Sequence, residues 1–208
     1  MHSELEKLAV QLFDAGAVRF GDIEAKIGRH TPIYFDLRVV VSHPRIMRAV
    51  AQELQKLASQ IPHDLLCGVP YAALPLAAVM SVTSNTPMIM RRKETKLYAT
   101  KKILEGIYRK GQNCLVVEDV VTSGGSLLET LETLRTEGLT VSHAVVVLDR
   151  EQGGASVLKA NGVRIHSLFT LPELVEILKN SGKISQKTVN IVLEHIKECQ
   201  FGVKDNLE

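Results

Sequence analysis

Apolar residues follow two different spacings along the chain, and together these spacings predict an α/β protein. In some segments apolar residues stand three or four positions apart, as on one face of a helix. Residues 44–59 show this spacing at Ile46, Val50, Leu54 and Leu57. Other segments are short continuous apolar runs, which are typical of buried strands. Because the two kinds alternate from about residue 60 onward, we expect a central parallel β-sheet flanked by helices.

The predicted elements alternate along the chain except near its beginning. We expect strands at residues 65–69, 88–91, 115–118, 142–148 and 164–168. We expect helices at residues 3–15, 44–59, 74–82, 127–136, 155–160, 171–179 and 186–197. Residues 17–36 mix strand-like pieces with glycine and proline, which predicts a small N-terminal hood beside the core. Without repeats or linkers, residues 1–208 form one predicted domain, with the hood mainly at 17–40, the core at 60–180 and a C-terminal helix at 185–198.

Composition narrows the class of protein. The 208 residues are 45% hydrophobic and 23% charged, as is typical of globular domains. No apolar run is long enough to span a membrane, and the acidic, amphipathic N-terminal segment does not resemble a signal peptide. The three cysteines lack metal-binding spacing. We therefore expect free thiols, buried at Cys67 and Cys114, and a cytoplasmic, reducing location.

The charge of the chain is small but unevenly distributed. Six lysines and arginines against one glutamate give residues 91–102 a charge of +5 in a chain of net charge +2, so the other residues sum to −3. A local basic cluster favours a small polyanionic ligand over nucleic acid, which requires a broad basic face. Aromatic residues, at 4%, are also too few for stacking on single strands.

The segment CLVVEDVVTSGGS, residues 114–126, carries the clearest chemical signal. A buried strand leads to the acids Glu118 and Asp119, then to hydroxyl and glycine residues, and then to a predicted helix. Carboxylates at a strand end can bind vicinal hydroxyls, while glycines and a helix N-terminus can bind a phosphate. The segment therefore favours a ligand that carries both groups, although an ordinary strand-to-helix turn explains a glycine-rich loop equally well. Neither a nucleotide P-loop nor a dinucleotide fingerprint is present.

Three further segments carry candidate chemistry, each with a simpler structural explanation. The turn at residues 68–75 could bind an anion through backbone N–H groups, or it could merely end a strand. The basic residues at 91–102 could close over a departing anion, or they could be a solvated charged loop. Arg150 could hold a carboxylate bidentately, or it could pair with Asp149 at the surface.

Hood residues and histidines give weaker signals. Packing and exposure explain Lys26, Tyr34 and Phe35 as well as ligand binding does. The seven histidines are scattered without ligand or triad spacing, and we interpret them as surface or incidental residues. Neither a G-x-S-x-G motif nor a Cys–His signature supports hydrolase chemistry.

A family resemblance follows from five segments taken together. They are FGDIEAKIGRHTPIYFDLR, CGVPYAALPLA, MRRKETKLYATK, CLVVEDVVTSGGSLLETLETL and VVVLDREQGG. VVEDVVTSGGS resembles the phosphoribosyl-pyrophosphate (PRPP) loop of type I phosphoribosyltransferases. The whole set, over about residues 17–180, resembles orotate phosphoribosyltransferases, above all the N-terminal domain of animal bifunctional UMP synthases. The resemblance implies the type I phosphoribosyltransferase fold. It also implies transfer of ribose 5-phosphate from PRPP to N1 of orotate, giving orotidine 5′-monophosphate and pyrophosphate for UMP biosynthesis.

The same resemblance assigns residues to the substrates. The residues it assigns to PRPP are Lys26, Tyr71, Ala72, Arg92, Lys93, Lys96, Tyr98, Glu118, Asp119, Val120, Val121, Thr122, Ser123, Gly124, Gly125 and Ser126. Those it assigns to orotate are Tyr34, Phe35, Thr122 and Arg150, with the orotate carboxylate on Arg150. Lys96, Lys93 and Asp119 are the expected catalytic residues, with Lys96 the most sensitive for rate. Mg²⁺ would arrive bound to PRPP and not to protein side chains.

Some implications remain open at this stage. The resemblance implies a homodimer with shared active sites and small-molecule substrates, without nucleic acid or membrane partners. Tyr98 and Ala72 stand where bacterial enzymes carry His and Lys, and Leu97 and Ala99 where we expect Asp and Gly, which puts the turnover rate in question. The alternatives are a PRPP-dependent transferase for another base and a PRPP-sensing regulator. A further decarboxylase domain after the C-terminal tail stays an open question.

Overall fold

A six-stranded sheet forms the centre of the molecule. The computed structural model describes residues 3–24, 30–93 and 103–202. Its strands are β3 (Leu65–Gly68), β4 (Met88–Arg91), β5 (Leu104–Glu105), β6 (Cys114–Val121), β7 (His143–Asp149) and β8 (Arg164–Thr170). They lie in the order β5-β4-β3-β6-β7-β8 across the sheet. All neighbouring pairs are parallel except β4 and β5. The predicted α/β class is confirmed, and the antiparallel edge strand β5 is an addition to it.

Helices cover both faces of this sheet. They are α1 (Glu4–Asp14), α2 (Pro44–Ala58), α3 (Ala73–Ser84), α4 (Gly125–Thr136), α5 (Gly154–Ala160), α6 (Leu171–Asn180) and α7 (Gln186–Glu198). Helices α4 and α5 pack on one face, and the other five pack on the opposite face. Each face of the sheet carries its own cluster of buried apolar residues. Consecutive strand residues point to opposite faces: Val116 packs in the cluster under α4 and α5, and Val117 packs in the larger cluster on the other face. This explains why the strands are apolar at every position.

The hood is a separate two-stranded antiparallel ribbon formed by β1 (Val18–Glu24) and β2 (His30–Phe35). Val18 and Ile33 are buried in the larger of the two core clusters, so the hood is packed onto the α1, α2 and α7 side of the molecule. A 3-10 helix, Leu37–Ser42, leads from β2 into α2 and was not predicted. Asp36 begins this helix by accepting a hydrogen bond from the backbone N–H of Arg38 at 3.0 Å.

Strand β6 is longer than the sequence predicts. The expected strand ended at Glu118, whereas the observed strand continues to Val121 because pairing with β7 continues through Val121 and Asp149. The acidic pair therefore lies within the strand, on a rigid element and not on a loop. The carboxyl ends of β3, β6 and β7 then share one edge of the sheet, where α/β proteins commonly bind ligands.

Candidate functional site

The loop between β6 and α4, residues 122–124, forms a small polar cavity of about 100 Å³. The cavity is lined by Glu118, Val120, Val121, Thr122, Ser123, Gly124, Gly125, Ser126 and Leu127. Gly124 has a φ of 88°, a left-handed conformation that favours glycine, and it begins α4. No side chain caps this helix N-terminus. Its first N–H groups and the helix dipole are thus available to an anion such as a phosphate.

A second loop supports the first from the side. The backbone N–H of Gly154, at the start of α5, donates to the carbonyl of Thr122 at 3.0 Å. A Cβ atom at position 154 would lie only 2.5 Å from the Thr122 oxygen. Glycine is therefore required there for the two loops to approach, and the β7–α5 loop (residues 150–153) fixes the shape of the β6–α4 loop.

The two acids at the end of β6 occupy different environments. Glu118 is buried at 3% exposure, and its pKa is raised well above its ordinary value, first by burial and then by hydrogen bonding with Asp119. One Glu118 carboxyl oxygen accepts the Asp119 backbone N–H at 3.0 Å. Asp119 is half-buried. Glu118 thus favours its protonated form, whereas Asp119 is the carboxylate of the pair that can reach hydroxyl groups of a ligand.

The turn after β3 meets the start of the basic segment. Gly68 packs closely against α3, since a Cβ there would lie 3.0 Å from the Ala73 carbonyl oxygen. Tyr71 is 64% exposed, and the ammonium of Lys93 lies 4.9 Å from the centre of its ring. Ala72 begins α3. The structure therefore brings together Tyr71, Ala72 and Lys93, three of the residues predicted to contact PRPP.

The two arginines before Lys93 are already engaged. Arg91 donates to the Thr133 hydroxyl at 3.1 Å and to the Glu129 carboxylate at 3.3 Å, which ties β4 to α4. Arg92, predicted to grip pyrophosphate, forms a salt bridge with Glu105 of the edge strand β5. Sequence reasoning missed this pairing because a two-residue strand has no recognisable pattern. The role of Arg92 toward PRPP stays a prediction.

Arg150 follows β7 directly and is held beside the β6–α4 loop. Its backbone N–H donates to the Val121 carbonyl at 3.0 Å, and one terminal guanidinium nitrogen, Nη2, donates to the Thr31 hydroxyl at 3.3 Å. Its Nε atom is buried without a hydrogen-bond partner, and burial lowers the pKa of the guanidinium. The described residues provide no carboxylate that forms a salt bridge with Arg150. The alternative of an Asp149–Arg150 surface pair is wrong, because Asp149 is buried at 7% exposure and accepts the Glu151 backbone N–H at 2.9 Å.

Tyr34 and Phe35 lie on opposite faces of β2. Phe35 packs against the core, on the same face as Thr31 and Ile33. Tyr34 accepts a hydrogen bond from Arg38 at 2.9 Å, and the Arg19 guanidinium lies 5.2 Å from its ring centre. Their predicted contacts with orotate stay predictions. Lys26, Lys96, Leu97, Tyr98 and Ala99 lie outside the described residues.

Two histidine contacts were not expected from the sequence. The Nε2 atom of His195 in α7 lies 3.5 Å from the Thr31 hydroxyl, close to Arg150. The rings of His143 and His166 approach to 3.0 Å between nitrogen atoms, because β7 and β8 pair in parallel. His143, His166 and His195 are half-buried in these contacts. Only strand register and helix packing, which spacing along the chain does not reveal, could have identified them.

The described residues contain neither a cluster of potential metal ligands nor a membrane-spanning helix. Within residues 3–24, 30–93 and 103–202, no three His, Cys, Asp or Glu side chains are grouped so that they could hold a metal ion. Over the same ranges, the structure contains no helix whose length and apolar character would let it cross a membrane.

Comparison with known proteins identifies the family. A family model described as "phosphoribosyl transferase domain" matches residues 40–164. The chain is 43% identical to the orotate phosphoribosyltransferase of Chlamydia caviae over 179 residues, which cover 85% of this chain and 87% of that protein. The chain belongs to the orotate phosphoribosyltransferase family. The resemblance seen in the sequence motifs is thereby confirmed.

This chain spans less than half the length of some of the proteins that it matches. The chain is 46% identical to the uridine 5′-monophosphate synthase of Bos taurus over 199 residues, 95% of this chain but only 42% of that protein. The structure of Leishmania donovani UMP synthase matches with a TM-score of 0.85 and 35% identity, over 93% of this chain and 42% of that one. An orotate phosphoribosyltransferase from Mycobacterium tuberculosis, solved in complex with PRPP, matches with a TM-score of 0.68 and 25% identity, over 83% of this chain and 99% of that one.

Proposed function

We propose that this chain transfers ribose 5-phosphate from PRPP to N1 of orotate, giving orotidine 5′-monophosphate and pyrophosphate. One observation carries the proposal: Val121, which lines the polar cavity after β6, is hydrogen-bonded to the backbone of Arg150, a half-buried arginine that forms no salt bridge with any described residue. The Arg150 backbone is hydrogen-bonded to Val121, the last residue before the β6–α4 loop. A donor that carries a phosphate and an acceptor that carries a carboxylate would thus be held side by side.

The arrangement suits a reaction without a protein nucleophile. The bond between C1′ and the pyrophosphate oxygen breaks as N1 of orotate bonds to C1′, and the N1 proton is released. Positive charge develops on the ribose ring, while negative charge develops on the leaving pyrophosphate. Asp119 can hold the ribose hydroxyls, and Lys93 beside Tyr71 can contact the leaving group. Positioning and electrostatic stabilisation would account for the rate.

Magnesium fits this proposal as an ion that enters with the donor. Mg²⁺ prefers phosphate oxygens and water to a cage of protein ligands, and the half-buried Asp119 carboxylate is the neighbouring protein oxygen suited to support it. When bound, the ion would neutralise part of the charge of the pyrophosphate group. We also propose a homodimer with shared sites and a cytoplasmic location, the latter supported by the free buried thiols Cys67 and Cys114.

The test is product formation from defined substrates. Purified protein with PRPP and Mg²⁺ is expected to release pyrophosphate with orotate, but not with uracil or hypoxanthine. Arg150→Met should lower kcat/KM for orotate by about 100-fold, because it removes a half-buried, charged partner of the carboxylate. Arg109→Met removes an exposed arginine and serves as the matched control.

Each contrary result has a definite meaning. Activity with hypoxanthine in place of orotate would identify a transferase for another base. Binding of PRPP without pyrophosphate release from any acceptor would identify a sensing protein.

A further inference from the structure

The carboxylate-binding arginine is held by a residue of the hood. Thr31 in β2 is buried at 7% exposure, and its hydroxyl accepts a hydrogen bond from Arg150 Nη2 at 3.3 Å. The two residues are 119 positions apart in the sequence. Thr31 thus links the hood to the β7–α5 loop at the place where the acceptor is expected. None of the sequence motifs indicated a role for it.

Several hydrogen-bond partners surround the Thr31 hydroxyl. The single hydroxyl proton is donated to the Ile33 carbonyl at 2.9 Å. The hydroxyl oxygen accepts from Arg150 Nη2 and, at 3.5 Å, from the Ile33 backbone N–H, and the Nε2 atom of His195 also lies 3.5 Å away. The Nδ1 atom of His195 lies 3.7 Å from the Cys199 sulfur. Helix α7 thus contacts Thr31 through His195.

We propose that Thr31 is a positioning residue that orients the Arg150 guanidinium toward the carboxylate of the acceptor. This inference rests on the proposed function, because it concerns the same acceptor. An arginine side chain rotates about several bonds, and binding a carboxylate bidentately requires its plane to be fixed. The Thr31 hydroxyl occupies one N–H group of Nη2 and limits that rotation. The other terminal N–H groups would then be the ones to meet the ligand, because Nε is buried.

Removal of the Thr31 hydroxyl should weaken the binding only of ligands that carry the carboxylate. Orotidine 5′-monophosphate and uridine 5′-monophosphate differ by that one group, so Thr31 should affect the binding of the first and not of the second. A purely structural role would weaken the binding of both nucleotides equally. The ratio of their two inhibition constants against PRPP therefore separates positioning from general loss of structure.

The experiment compares variants that differ in one hydroxyl. Thr31→Val and Thr31→Ala should raise the inhibition constant of orotidine 5′-monophosphate about five-fold, which corresponds to one lost hydrogen bond. The constant of uridine 5′-monophosphate should stay unchanged. Thr31→Ser keeps the hydroxyl and should restore wild-type binding. Thr83→Val removes a hydroxyl from the exposed side of α3 and is the matched control.

The outcomes separate this inference from the proposed function. If Thr31→Ala or Thr31→Val folds and leaves the ratio of the two constants unchanged, Thr31 does not position Arg150. If Arg150→Met also leaves that ratio unchanged, the assignment of the acceptor site itself is wrong. If the ratio changes in Arg150→Met but not in the Thr31 variants, only the role of Thr31 is overturned. Alanine is included because it places no methyl group against the Ile33 carbonyl.

Discussion

The burial of Glu118 in the candidate site lowers the stability of the folded protein at neutral pH. Its pKa is raised in the folded protein, whereas the unfolded chain titrates near the ordinary value of 4.5. As pH rises above 4.5, the unfolded state releases this proton first, so the group destabilises the fold increasingly until it ionises in the folded state as well. At neutral pH, the acid therefore works against folding.

Replacement of Glu118 by glutamine tests this effect. Glu118→Gln keeps an oxygen for the Asp119 backbone N–H but removes the titration. We expect the variant to match the wild type in stability near pH 4 and to exceed it progressively toward pH 8, measured by urea unfolding. Glu132→Gln, the same change at an exposed position of α4, should show no such pH-dependent gain. A constant difference at every pH would show that Glu118 ionises normally in the folded protein.

Residue identity at the site could be predicted, but residue environment could not. The motif VVEDVVTSGGS pointed to Glu118, Asp119 and the loop that follows, and the structure groups them around one cavity. It did not show that Glu118 is buried while Asp119 is half-buried. That difference arises because β6 continues its pairing with β7 past the acids, and strand pairing depends on residues distant in sequence.

At the scale of elements, the chain after α7 acts as a strap on the β7–α5 loop. We call residues 199–202 the C-terminal strap. The Phe201 backbone N–H donates to the Gln152 carbonyl at 2.8 Å, and the Gln152 side chain donates to the Cys199 carbonyl at 3.0 Å. Gly153 has a φ of 99°, and a Cβ there would lie 2.0 Å from the Phe201 carbonyl oxygen. The strap and the loop that carries Arg150 therefore require a glycine between them.

Alanine at position 153 should loosen this contact. Gly153→Ala is expected to cost about 2–4 kcal/mol, from the left-handed backbone and from the clash with Phe201 together. Gly182→Ala isolates the backbone cost, about 1 kcal/mol, because φ there is 71° and a Cβ would meet nothing within 4 Å. Thermal unfolding gives the stabilities, and KM for orotate should rise only in Gly153→Ala. Equal losses in both variants would mean that the strap does not hold the loop.

Long elements were predicted because their own residues define them, and short ones were not. The amphipathic spacing of α2 and the apolar run of β7 are each visible in the sequence. Strand β5 has two residues and exists through its pairing with β4, and the 3-10 helix Leu37–Ser42 depends on its connection between hood and α2. Neither is long enough to carry a periodic pattern.

At the scale of the whole molecule, the candidate site joins segments that are distant along the chain. The β6–α4 loop, the β7–α5 loop and the turn after β3 meet because parallel strands end at one edge of the sheet, and the hood adds Thr31. The family motifs predicted which segments form the site, and the α/β fold class predicted that these segments meet at one edge of the sheet. The contact of Thr31 with Arg150 could not be predicted, because no local pattern determines how the hood packs on the core.

Because these segments meet around one ligand, PRPP should stabilise the entire domain. A ligand at about 100 times its Kd adds about 2.7 kcal/mol to the free energy of unfolding, which for a chain of this size raises Tm by about 5–10 °C. We expect that rise with PRPP and Mg²⁺, measured by calorimetry. Asp119→Asn should reduce the rise by about half or more, since it removes the carboxylate expected to hold the ribose hydroxyls. Glu132→Gln should keep it in full. A full rise in Asp119→Asn would place the ribose elsewhere.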